Sequence, residues 1–285
     1  DNEIYYLPAA DGSGGYANYS GTGNSLRCAN RYVRQLILDS MRYWVTQMHV
    51  DGFRFDLASV LVRNEAGGID GSDSPLLAEM RSDPVLCGVR LIAEPWDAQG
   101  GYLLGARRFQ EALWAQWNDR FRDDVRRFVR GDLGLVPAMQ YRLYGSDDLF
   151  PSSPEFSCRP TQSINFVNSH DGFSLYDLLS YNRKHNEANG HGNTDGSDYN
   201  FSWNCGWEGD DEVPDEVLQL RQRQAKNICC LLLLANGTPM FRAGDEFLRT
   251  QQHQLATSTL DRPGGDDNGA QAQRCDIADL FKVNQ

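Results

Sequence analysis

Two hydrophobic periods alternate along the chain. From Met48 to Leu57, apolar Phe53 and Phe55 interleave with Arg54 and Asp56, the every-second-residue pattern of a strand. Before it, Val33, Leu36, Ile37, Met41, Trp44, Val45 and Met48 fall at three- and four-residue steps, which predicts an amphipathic helix over 31–47 with Asn30 placed to cap it. The strand pattern stops after Asp56. A helical patch (57–62), a Gly/Asp/Ser loop (67–75) and a short helix (76–81) lead to a buried strand, Val89 to Ala93, with Glu94 at its C-terminal end. Strand, helix and strand joined by polar loops predict a βαβ unit and a parallel sheet.

Downstream the repeat is fainter. Residues 113–118 read as a strand, followed by an amphipathic helix spaced by Phe121, Val125 and Phe128 that carries Arg120, Arg122, Arg126 and Arg127. Ser163 to Asn168 reads as a buried strand that delivers Ser169-His170-Asp171-Gly172. A long Asn/Gly/Asp loop (182–212) holds Trp203 and Trp207, and a helix is expected from Val217 to Asn236, with the apolar run Ile228 to Ala235 as its buried segment. Residues 1–30 are rich in Gly, Asn, Ser and Tyr and read as irregular loop, and beyond Thr250 no period is visible.

Composition narrows the function classes. A chain of 285 residues can form one large domain or two small ones. A formal net charge of −12 argues against a nucleic-acid partner and suits a neutral ligand. No run of 18 apolar residues exists, so no membrane-spanning helix is expected. The 7 cysteines are odd in number and lack CxxC spacing, which points to buried thiols in a reduced, intracellular setting. The chain opens at Asp1, in what reads as a loop, with no initiator Met or signal peptide, so a fragment is expected.

Three acidic residues carry the chemistry. Asp56, Glu94 and Asp171 each follow an expected strand, separated by 38 and then 77 residues. In a (β/α)8 barrel one strand–helix unit takes about 31 residues, so the gaps correspond to one unit and about two. All three carboxylates would then stand on the rim formed by the C-terminal strand ends. Two carboxylates flanking a sugar bond can perform retaining glycoside hydrolysis, and a third can stabilise the developing positive charge. Arg54, on the same strand face as Asp56, would hold that carboxylate ionised. Pro95-Trp96 would help to desolvate Glu94 and keep it protonated. The plainer reading of Arg54 and Asp56 is a structural ion pair at a strand end.

Here the residues resemble a known family. Asp51-Gly52-Phe53-Arg54-Phe55-Asp56, Ala93-Glu94-Pro95-Trp96-Asp97 and Asn168-Ser169-His170-Asp171 look like three conserved regions of the α-amylase superfamily. Its isoamylase or glycogen-debranching branch is favoured by Asn24-Ser25-Leu26, Trp117 to Asp123, Ser180 to Asn186, Ser202 to Gly206 and Gly237-Thr238-Pro239-Met240. The resemblance covers roughly 1–250. It implies a catalytic (β/α)8 TIM barrel that hydrolyses α-1,6 branch points of glycogen or amylopectin with retention. Asp56 would be the nucleophile, Glu94 the general acid/base and Asp171 the transition-state carboxylate. Arg54 would orient the nucleophile and His170 would hydrogen-bond the sugar, where a plain histidine would merely cap a strand end. Trp96, Trp203 and Trp207 are candidates for stacking on sugar rings or for ordinary packing. The family needs no organic cofactor, and no Asp/Asn spacing here resembles a calcium loop, so no metal is expected. Compartment would be intracellular, or a plastid for a plant or alga.

Two departures from the family pattern shape the expectations. The upstream conserved region and the first three barrel strands have no counterpart, so residues 1–250 would form a partial barrel covering roughly strands 4 to 8. Such a piece, exposing sheet edges and apolar helix faces, is expected to be inactive and poorly soluble by itself. After Arg249-Thr250-Gln251 the text leaves the family, and 251–285 are expected to be a divergent, disordered tail arising from a frame shift, splice variant or misassembled gene model. Other readings are a non-catalytic glucan-binding or regulatory subunit, or another hydrolase or transferase of the superfamily acting on α-glucans.

Overall fold

The computed structural model describes residues 2–12, 14–69, 74–111, 114–151 and 158–251. From 252 onward the expected tail lies outside the described residues. The chain divides into two compact units, Asp1–Trp117 with Asp148–Ser163, and Asn118–Asp147 with Ile164–Gln285.

The first unit begins with a short helix, α1 (Asn2–Tyr5), in a region otherwise held by isolated bridges (Tyr6 to Leu26, Pro8 to Tyr16). Helix α2 (Arg31–Met48) starts where expected: the Asn30 side chain accepts the Tyr32 N–H at 2.9 Å. Its buried side is Val33, Leu38 and Met41, whereas Leu36, Trp44 and Met48 stay about half exposed. The helix buries only the side that meets the core, a narrower set than the periodicity marks.

Strand β1 (Gly52–Phe55) pairs in parallel with β2 (Arg90–Ala93), in register from Gly52 opposite Arg90 to Phe55 opposite Ala93. Between them lie a 3-10 turn (Ala58–Val62) and α3 (Pro75–Ser82). β2 then pairs in parallel with β3 (Ala115–Asn118) after the short α4 (Arg107–Glu111). The expected βαβ unit and parallel sheet are therefore observed. Leu76, Met80, Ala93, Phe109 and Trp114 anchor the core beneath these strands. Gly52 is required at the start of β1, because a Cβ there would collide with the Arg90 carbonyl oxygen.

In the second unit Asn118 caps α5 (Asp119–Arg130), accepting the Phe121 N–H at 2.9 Å. Helices α6 (Val136–Leu143), α7 (Leu175–Leu178) and α8 (Asp215–Leu234) follow, with β4 (Ser163–Asn165) parallel to β5 (Thr238–Pro239). Phe121, Val125, Phe173, Leu178, Ile228 and Leu232 form this unit's core. Two expectations change. The strand ends at Asn165 rather than Asn168, because the Val167 carbonyl accepts the buried Arg126 guanidinium (2.7 Å). The run Ile228 to Ala235 is buried on one side alone: Ile228 and Leu232 are covered, while Leu233 and Leu234 face out. Of the described cysteines, Cys28, Cys158 and Cys205 are buried as expected, but Cys87 and Cys230 are exposed.

Candidate active site

The first group of candidate residues sits where β1 and β2 end. Asp56 follows the last residue of β1, and Glu94 follows the last residue of β2, one step beyond the Phe55–Ala93 pair. Arg54 lies between them in space. Its Nη1 donates to Asp56 Oδ1 at 2.8 Å, and its Nη2 lies 3.0 Å from Glu94 Oε2, an ion pair outside hydrogen-bond angles. Above the guanidinium, the Trp117 ring of β3 stacks with its centroid 4.1 Å away. The arginine is thus held by a carboxylate on either hand and an aromatic face.

The turn after Asp56 completes the group. Leu57 adopts a left-handed conformation (φ 43°), unusual for a residue with a branched side chain. In that conformation its N–H donates to Glu94 Oε2 at 2.8 Å, and the next N–H, of Ala58, donates to the Glu94 carbonyl at 2.8 Å. Backbone strain is therefore localised beside two of the candidate residues and is offset by two hydrogen bonds to one of them.

The two carboxylates differ in environment, which decides what each can do. The Asp56 side chain is 64% exposed and Glu94 only 3%. Burial pushes the Glu94 carboxyl up to about 7; Arg54 and the Leu57 N–H oppose this, and the nearby Asp56 charge reinforces it. Glu94 can therefore hold a proton near neutral pH, while Asp56, on the strand end beside a cation, is open to a ligand. Pro95 is buried and Trp96 half-buried next to Glu94, and Trp96 bridges to Tyr102. Just beyond, Asp97 accepts from Ser59 (2.7 Å), from Arg63 (2.5 Å) and from the Gln99 and Gly101 N–H groups (2.9 Å each). That buried network anchors the loop following Glu94.

The second group lies in the second unit. His170 and Asp171 stand on the turn between β4 and α7, with His170 Nε2 3.6 Å from Asp171 Oδ1 and the Asp171 side chain 61% exposed. Gly172 takes a positive φ (82°) in this turn. Trp203 packs against the core, whereas Trp207 is 39% exposed with its indole N–H on the Asp211 carbonyl. The loop bearing both is fixed by Arg221, which is buried in α8 and donates to the Trp207 (2.6 Å) and Gly209 (2.9 Å) carbonyls and to Asp210 (3.0 Å). Glu208 gathers the N–H of Asn182, the Asn204 amide and His185. Burial works against its charge, but these bonds outweigh it and hold the carboxyl below its ordinary range.

Arg54, Asp56 and Glu94 are therefore brought together, as are His170 and Asp171. Sequence reasoning missed Trp117 and the Leu57 N–H. Trp117 stands at the end of the expected strand 113–118, a position that could have been flagged by the same strand-end rule that singled out the carboxylates.

No family model matches the chain. Among curated relatives, the chloroplastic isoamylase 3 of Oryza sativa subsp. japonica is 48% identical over 254 residues, 88% of this chain and 31% of the relative. The glycogen operon protein GlgX homolog of Mycobacterium tuberculosis is 49% identical over 252 residues, 88% of this chain and 34% of the relative. The chain thus spans about a third of the length of the relatives it matches. Among solved structures, a pullulanase from Anoxybacillus sp. LM18-11 complexed with maltotetraose superposes with a TM-score of 0.60 at 27% identity, over 88% of this chain and 32% of that one. Over the matched residues the chain is therefore similar in sequence to isoamylases and glycogen-debranching proteins, and similar in fold to a pullulanase.

Proposed function

We propose that the chain carries the catalytic groups of a retaining glycoside hydrolase that cleaves α-1,6 branch linkages in glycogen or amylopectin. The observation that carries this reading is the contrast between exposed Asp56 and buried Glu94 on one arginine. Asp56 attacks the anomeric carbon while Glu94 passes its proton to the departing glycosidic oxygen, and the bond from that carbon to that oxygen breaks. Glu94, now ionised, takes a proton from water, which displaces Asp56 and releases the sugar with retained configuration. Asp171 stabilises the positive charge that develops on the ring, and His170 hydrogen-bonds the sugar held there. Arg54 orients Asp56 through its hydrogen bond to the carboxylate. Trp96 and Trp207 offer faces for glucose rings, and Trp203, being packed, contributes less.

On this reading residues 1–250 are the C-terminal part of a (β/α)8 barrel, roughly strands 4 to 8. The chain alone is expected to be silent, acting inside a cell or a plastid only with the rest of the barrel. The test is reducing-end release from glycogen by the chain alone and by the chain joined to the upstream part of the GlgX homolog, wild type against D56N and E94Q. Activity in the joined protein, abolished by either substitution, is the expected result. Undiminished hydrolysis by D56N or E94Q would sink the assignment, and glucan binding without release of reducing ends would favour a regulatory subunit.

A further inference from the structure

One buried carboxylate outside the groups above binds both ends of the turn that presents His170 and Asp171. Asp245 lies in the 3-10 turn Asp245–Phe247 that follows β5, and it is 3% exposed. Its Oδ2 accepts the Asn168 side-chain amide at 2.7 Å, and its Oδ1 accepts the Leu175 backbone N–H at 3.0 Å. Asn168, 1% exposed, immediately precedes Ser169-His170-Asp171, and Leu175, fully buried, opens α7. Each oxygen of a single side chain thus holds one end of the span from 168 to 175. A segment bound at both ends by a rigid, solvent-free group loses most of its freedom to swing.

The grip is reciprocal. Asp177, on α7 and fully buried, accepts the Thr250 hydroxyl at 2.6 Å and the Gln251 N–H at 2.7 Å, besides the Ser174 hydroxyl at 2.9 Å. The segment 245–251 therefore reaches into the turn through Asp245, and the turn reaches back through Asp177. On its other side the turn is braced by Arg126, whose Nε donates to the Val167 carbonyl (2.7 Å) and whose Nη1 donates to the Asn200 carbonyl (3.0 Å). A Cβ on Gly172 would meet the Asn200 side-chain oxygen at 3.2 Å, so the turn also has a wall.

We infer that Asp245 is a positioning residue: by clamping Asn168 and Leu175 it fixes where the turn carries His170 and Asp171 relative to the rest of its unit. This deepens the proposed function and rests on it for the role of Asp171 in hydrolysis. The clamp itself stands on the contacts within the unit.

The test compares D245A, D245N and N168A in the 285-residue chain. D245A leaves the Asn168 amide and the Leu175 N–H without acceptors in a buried site. D245N keeps an oxygen for Leu175 and can pair with Asn168 if that amide turns over. Expected is at least about tenfold faster exchange of the Leu175 amide in D245A, with displaced His170 ring resonances and unchanged exchange at Ile92 in the other unit. D245N restores most of the wild-type signal, and N168A disturbs His170 more than Leu175. The inference falls if D245A leaves the Leu175 amide and the His170 ring as in wild type. It falls equally if D245N is no better than D245A, or if Ile92 exchange accelerates in step. In the joined protein described above, D245A is expected to lower kcat about tenfold with little change in KM. A loosened turn with unchanged kcat would leave the clamp standing and remove Asp171 from the proposed reaction.

Discussion

Replacing Glu94 with glutamine separates the proton-holding character of this residue from its shape. In the folded chain the carboxyl is pushed from 4.5 up to about 7, chiefly by burial. The folded state therefore binds the proton more tightly than the unfolded state does. The resulting stability is fully present below about pH 4.5 and is lost as pH rises through about 7. A shift of this size corresponds to about 3 kcal/mol between those limits. The amide of the E94Q variant cannot ionise, so the variant escapes the loss. The stability difference between variant and wild type should move by about 3 kcal/mol in the variant's favour from about pH 4.5 to about pH 8.5. Its absolute value at low pH is a separate matter, since the substitution also gives up the Arg54 ion pair. Urea unfolding of both proteins across that range measures the difference, and groups common to both cancel. A difference that stays flat with pH would refute the argument that Glu94 holds its proton, and with it the acid half of the proposed mechanism.

Other substitutions probe the surroundings. Arg63→Met strips the fully buried Asp97 side chain of its cation, and stability should fall by about 3 kcal/mol in urea unfolding, leaving three donors to support the charge. Gly101→Ala would drive a Cβ into Asp97 Oδ2, so the loop must shift at a cost of roughly 1–3 kcal/mol, visible as a lower Tm. Trp203→Ala and Trp207→Ala should diverge: the first removes a side chain packed on the core and costs about 2–3 kcal/mol, and the second leaves stability nearly unchanged but weakens binding of malto-oligosaccharide in titration calorimetry.

The parts of the fold that were legible in the sequence are those whose signal is local. The Asn30 cap, the alternation through Phe53 and Phe55, and the apolar run into Glu94 each depend on a few neighbouring side chains, and the observed elements begin and end within a residue or two of them. The apolar run at the end of α8 misled, because Leu233 and Leu234 are as hydrophobic as Leu232 yet point away from the core. Only the packing partners decide which side of a uniformly apolar helix is covered. The strand expected to reach Asn168 stops early for a related reason. Its later residues are claimed by Arg126, 41 positions upstream of the carbonyl it binds, and by Asp245, 77 positions downstream of Asn168.

The same distinction governs the site. Resemblance identified Asp56 and Glu94 as a pair, but nothing in their local sequence says why two carboxylates at adjacent strand ends should behave differently. The difference comes from one backbone step. After β1 the chain turns through Leu57 at φ 43°, and this directs the Leu57 N–H onto Glu94 Oε2, 37 positions away. Asp56 stands before that turn and remains open. Glu94 lies beneath it, 3% exposed, and burial raises its hold on a proton. A leucine in a left-handed conformation costs free energy that a glycine would not. Leucine nonetheless occupies this position, with its side chain half-buried. The strained turn thus separates two carboxylates into unlike environments, which is the condition the proposed mechanism requires of its nucleophile and its acid.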